Sequence, residues 1–171
     1  MALAIAAPTA FAQVIGPEAA SEGDAAFERG DYGEARDHFR SDCDAGEAAA
    51  CARLGDLYRQ GLGGLQDYQA ADRAYSRACD GGEAYACHRL AYLVFQGQGL
   101  EQDYPRARRL YEKGCDLDDV SACAGFGNML VAGFGGPKQR NRGAEILRKA
   151  CLAENDYACD QLRRYGLRRN R

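Results

Sequence analysis

Apolar residues recur along the chain in columns 36 residues apart. Ala50, Ala86, Ala122 and Ala158 share one column, Leu54, Leu90, Phe126 and Leu162 a second, and Leu57, Leu93, Met129 and Tyr165 a third. Within a copy these positions lie three to four residues apart, the spacing of one face of an α-helix. Each of the first three segments runs into a glycine (Gly61, Gly97, Gly133), and a second glycine follows two positions on (Gly63, Gly99, Gly135). Glycine at that place supplies the left-handed conformation that closes a helix. A second stripe, Ala71 and Ala107 followed by Tyr75 and Tyr111, marks another helix in each copy. It starts behind Asp67 or Asp103, whose carboxylates can accept the free amide hydrogens of a first turn. Pro105 falls in that first turn, where a missing N–H costs nothing. The pattern predicts helices over 18–29, 32–44, 47–60, 68–80, 83–96, 104–116, 119–132, 140–152 and 155–166. A fixed period of this length signals a repeat array. The expected fold is therefore all-α, an α/α solenoid of antiparallel helix pairs with a longer loop on one side and a tight turn on the other.

The tight turns carry the cysteines. Four stretches, CDAGEAAAC (43–51), CDGGEAYAC (79–87), CDLDDVSAC (115–123) and CLAENDYAC (151–159), repeat at the same period and use all eight cysteines of the chain. One cysteine closes a helix and its partner lies in the second turn of the next, so an antiparallel pair can bring the two within disulfide reach. The repetition singles out Cys43–Cys51, Cys79–Cys87, Cys115–Cys123 and Cys151–Cys159 among the 105 pairings that eight cysteines allow. A structural zinc site would use gaps of two to four residues and often histidine. Here the gap is seven and histidine is absent from the pattern. No metal or other cofactor is expected.

Composition narrows the function classes. The net charge is −3 over 171 residues, so no basic field points to nucleic acid. No apolar run reaches the 18 residues of a membrane span. The start, MALAIAAPTAFAQ, is small and apolar and ends in Ala10-Phe11-Ala12, which reads as residues 1–12 of a secretory signal peptide lacking its basic n-region. With an even cysteine count, this points to a secreted or periplasmic protein.

The consensus ACxRLGxLYxxGxGxxxDYxxAxxxYxxAC, whose cysteines here are Cys51 and Cys79, resembles the Sel-1-like repeat, a relative of the tetratricopeptide repeat. The paired cysteines look like those of the Helicobacter cysteine-rich protein branch. The resemblance covers about residues 18–166. It divides the span 13–166 into an N-terminal cap (18–46), repeats at 47–82, 83–118 and 119–154, and a C-terminal capping helix at 155–166, before a charged tail at 167–171. The last copies depart from the pattern: Gly166 stands in the column of Tyr58, and 140–143 lacks the Asp-Tyr start. The family implies a right-handed superhelix with a concave surface for a protein or peptide partner. Some members of the cysteine-rich branch carry a penicillin-binding or β-lactamase-like description, which supplies the alternative reading.

Little chemistry supports that alternative. None of Ser21, Ser41, Ser76 and Ser121 has a lysine three residues on, as a serine β-lactamase requires. Only His38 and His88 occur, without an HExxH motif. The glycine loops recur with the repeat and read as turns. By analogy with tetratricopeptide architecture, the helices 47–60, 83–96, 119–132 and 155–166 line the concave side. Their groove face would present Asp56, Arg59 and Gln60, then Tyr85, His88, Tyr92 and Gln96, then Asn128, then Tyr157, Asp160 and Arg164. Aromatic and arginine side chains are the usual anchors of a recognition surface, and an asparagine can pair with both amide groups of a peptide backbone. The same side chains also suit a plain solvated face, as the RARR stretch at 106–109 does. No catalytic residue is assigned.

Overall fold

The computed structural model describes residues 21–167. Among them are nine helices and no strand: α1 (Glu22–Arg29), α2 (Tyr32–Asp44), α3 (Ala48–Gln60), α4 (Tyr68–Asp80), α5 (Ala84–Gln96), α6 (Tyr104–Asp116), α7 (Val120–Ala132), α8 (Arg140–Leu152) and α9 (Asp156–Arg164). The expected signal peptide and most of the charged tail lie outside the described residues.

Local chemistry sets the helix ends. The side chains of Asp67 and Asp103 accept from the amides of Ala70 and Arg106, both at 2.8 Å. Gly61, Gly97 and Gly133 close α3, α5 and α7 with φ of 71°, 67° and 87°. The starts of α3, α5, α7 and α9 each fall one residue later than the sequence expectation, and two further ends call for comment. Helix α1 starts at Glu22 behind an extended Ser21 that caps it, accepting from the Asp24 amide at 3.1 Å, and positions 18–20 of the expected helix lie outside the described residues. Helix α9 stops at Arg164, so Tyr165 leaves the helical column in which the repeat places it.

Each helix packs on its sequence neighbours. In addition, α3, α5, α7 and α9 touch one another directly across the repeats, whereas the even-numbered helices make no comparable contact. The odd helices are therefore the more closely spaced layer, and a solenoid with one layer tighter than the other is concave on the tighter side. The predicted columns form the core: Ala86, Ala122, Leu90, Phe126, Leu57, Leu93 and Met129 are at most 2% exposed. Alanines bring the backbones close but bury little area each, so the larger side chains carry most of the transfer energy, about 1.5–3 kcal/mol apiece.

All four expected disulfides are present, with Cα–Cα separations of 4.6, 4.7, 4.4 and 4.8 Å from the first bridge to the last. The turn inside each bridge needs a left-handed residue. Gly46 and Gly82 supply it in the first two copies, at φ 103° and 96°, but Asp118 and Glu154 occupy the same column at φ 65° and 62°. A non-glycine side chain there is strained, least so for Asp. Replacing Glu154 with glycine should therefore stabilise the protein by about 0.5–1 kcal/mol after the extra entropy of the unfolded chain is subtracted. A rise in the urea midpoint checks this; an unchanged or lower midpoint refutes it.

Candidate functional site

Helix α5 forms a wall between two pockets on the concave layer. Tyr85 and Arg89 face one side; His88, Tyr92 and Gln96 face the other. Each of the five stands three or four residues from another of them on one face of α5, and which neighbouring helices they meet decides the pocket that each borders.

The first pocket, about 250 Å³, lies between α5, α7 and α9 over α6. Five of the sequence-predicted residues meet here: His88, Tyr92, Gln96, Asn128 and Tyr157. Phe95, Tyr111 and Met129 complete an apolar lining, with Ser121 and Asn155 at its polar side. The buried Tyr111 ring lies against Gly125, where an added Cβ would stand 2.5 Å from it. Burial raises the pKa of the Tyr111 phenol, and the neighbouring phenols of Tyr157 and Tyr92 add to the rise. Tyr92 and Tyr157 remain 42% and 47% exposed. Asn128 is buried, and its carbonyl oxygen accepts from Tyr165 Oη at 2.7 Å. This bond uses one of the two lone pairs of the carbonyl oxygen. Tyr165, though outside the helix, thus orients Asn128.

His88 replaces the alanines of its column, Ala52 and Ala124. Its Nδ1 is buried without a hydrogen-bond partner. Burial lowers its pKa below the ordinary 6.5; Asp119 opposes this and Arg89 reinforces it. The folded protein therefore binds this proton less readily than the unfolded chain. The neutral imidazole's contribution to stability is complete above pH 6.5 and is lost as pH falls from there towards the folded-state pKa. His88→Phe should flatten stability against pH between 7 and 5 relative to the parent. Parallel curves would exclude His88 as the source.

The second pocket, about 300 Å³, lies between α1, α3 and α5. It gathers the predicted Asp56, Arg59, Gln60 and Tyr85, together with Arg53, Arg89, Phe27 and Phe39, which the sequence reading missed. Asp56 Oδ1 accepts from Tyr75 Oη at 2.7 Å, and both its oxygens lie 3.2 Å from Tyr85 Oη. Arg59 and Arg89 approach the same carboxylate at 3.6 and 3.7 Å, and Arg89 lies over the Tyr85 ring at 5.3 Å. A signal for the missed arginines was present: Arg53 and Arg89 stand one period apart, each just before a leucine of the packing column. Asp160 and Arg164 join neither pocket. Both are exposed on α9, where Asp160 pairs with Arg163.

The Sel1 repeat profile matches residues 48–83, 84–119 and 120–155. The chain belongs to the Sel1 repeat family. Among curated proteins none is similar in sequence. Of solved structures, a Sel1 repeat protein from Oxalobacter formigenes superposes with a TM-score of 0.75 at 22% identity, over 86% of this chain and 63% of that one. A protective antigen of uropathogenic Escherichia coli strains gives 0.80 at 26% identity, over 87% and 34%. Helicobacter pylori cysteine rich protein B gives 0.60 at 24% identity, over 77% and 95%. This chain thus spans under two thirds of the first two. The Sel1 helix pairs with one bridge each are those inferred from the sequence. Among the described residues no helix is long and apolar enough to cross a membrane.

Proposed function

We propose that this Sel1 repeat protein binds an extended peptide segment of a partner protein along its concave layer. The observation that carries the reading is the placement of exposed aromatics. Tyr85 and Tyr92 stand on α5 and Tyr157 on α9, each is more than 40% exposed, and two of them border an apolar pocket of side-chain size. Exposed aromatic surface beside a concavity is costly for a chain with no ligand and is a usual hot-spot composition. The four bridges support residence in an oxidising compartment, secreted or periplasmic. The β-lactam alternative gains nothing from the comparisons and is not carried further.

Selection from a phage-displayed decapeptide library tests the reading. Peptides with an aromatic or large aliphatic residue should be enriched, and Tyr92→Ala should weaken them about tenfold or more at an unchanged melting temperature. Full affinity in that variant would remove Tyr92 from the site; failure to enrich any peptide would count against the groove.

A further inference from the structure

We propose that the pocket between α1, α3 and α5 receives the carboxylate of an acidic side chain, on the same extended peptide whose apolar residue fills the pocket across α5. The proposal rests on the peptide reading above and adds the chemistry of the second anchor.

Three guanidinium groups line this pocket, Arg53, Arg59 and Arg89, against the single carboxylate of Asp56. That carboxylate is occupied. Its oxygens accept from the Tyr75 and Tyr85 phenols at 2.7 and 3.2 Å, while Arg59 and Arg89 stand off at 3.6 and 3.7 Å, beyond hydrogen-bond distance. The Nε atoms of both arginines are buried with no hydrogen-bond partner. Arg53 is 61% exposed, with Asp24 at 3.6 Å. Buried donors without acceptors are costly, and a guanidinium is built to meet a carboxylate with two parallel hydrogen bonds. An incoming carboxylate would accept from the terminal N–H groups of these arginines, which Asp56 does not meet at hydrogen-bond distance, and balance the charge.

Equivalent positions one repeat on explain why only one pocket has this character. Asp56 becomes Tyr92 and Arg59 becomes Phe95, so the same framework is charged on one side of α5 and aromatic on the other. Neighbouring helices are about 10 Å apart, which an extended chain crosses in about three residues. The groove does not close at the arginines. Arg53, Asp56 and Tyr85 also border an adjoining cleft that continues to Ala49, Ala52 and Glu83. A chain running through, with an internal Asp or Glu side chain, fits that shape better than a chain terminus.

Titration calorimetry at low salt decides the matter, using N-acetylated, C-amidated decapeptides with phenylalanine three residues before or after a glutamate, beside glutamine counterparts. The glutamate peptide should bind about tenfold or more tightly than its glutamine counterpart. That preference should vanish in Arg59→Gln/Arg89→Gln and shrink in the exposed Arg53→Gln, with the glutamine peptide unaffected. Equal binding of the two peptides would overturn the carboxylate site and leave the groove standing; no binding of any peptide to the parent protein would overturn both. A glutamine peptide with a free C-terminal carboxylate that matched the glutamate peptide would overturn the internal side chain. A preference surviving in both arginine variants would overturn the assignment to these arginines.

Discussion

Replacing Cys79 and Cys87 together with alanine should lower the unfolding free energy by about 2.6 kcal/mol from chain entropy alone, the value for a closed loop of nine residues. The sulfurs of this pair are also buried, so lost packing adds to that figure. The effect is large because of the architecture. A solenoid has only nearest-neighbour interfaces and no distant contacts to compensate, and its core is rich in alanine. The bridge lies at the α4–α5 turn, in the middle of the array, so the double variant should loosen the two halves from each other. The same change at Cys151 and Cys159 should release mainly α9 and cost less cooperativity. Full reduction of all four bridges removes roughly 10 kcal/mol if the terms add, comparable to the whole stability of a typical domain. The reduced protein should be largely unfolded at 37 °C. Circular dichroism with and without reductant reads this directly, and a reduced chain that melts with the oxidised one would refute the stapling role.

The second large effect is expected at Tyr75. Its ring is fully buried and lies on Gly55, where even an added Cβ would be 2.6 Å away. Tyr75→Ala should cost about 4 kcal/mol, the middle of the range for a buried aromatic. Gly55 has no side chain that could move into the vacated space. The substitution also strips Asp56 of its shortest hydrogen bond, leaving a largely buried carboxylate with less compensation. Tyr75→Phe separates the two contributions, since it keeps the ring and removes only the hydroxyl. It should cost about 1–2 kcal/mol. Denaturant titration of both variants gives the comparison, and equal losses would mean that the packing argument is wrong.

The concave pockets were only partly legible beforehand. Asp56, Arg59, Tyr85, His88, Tyr92, Gln96, Asn128 and Tyr157 can be picked from one sequence because helical pitch and the repeat fix which residues leave the packing columns on the groove side. Asp160 and Arg164 satisfy the same rule yet stand apart from both pockets, because among the described residues no helix follows α9 to pack against them. Arg89 was missed for the opposite reason: it sits beside a core leucine and reaches its partners by lying over Tyr85.

The sequence by itself determined the helices, their capping residues and the pairing of the cysteines. Each depends on residues within one or two turns of each other, and a 36-residue period prints the same local solution several times. Only the tertiary structure decided where the tyrosines lean. Tyr75 and Tyr111 occupy the same column, yet Tyr75 rests on Gly55 in the helix before it and Tyr111 on Gly125 in the helix after it. The repeat places Ala91 and Arg89 at the corresponding positions around the other ring, so each phenol turns to the side where a glycine leaves room. Asn128 was settled in the same way, by Tyr165 crossing from beyond the end of α9. Such choices depend on which neighbour lacks a side chain across an interface, and periodicity within one helix carries no record of that.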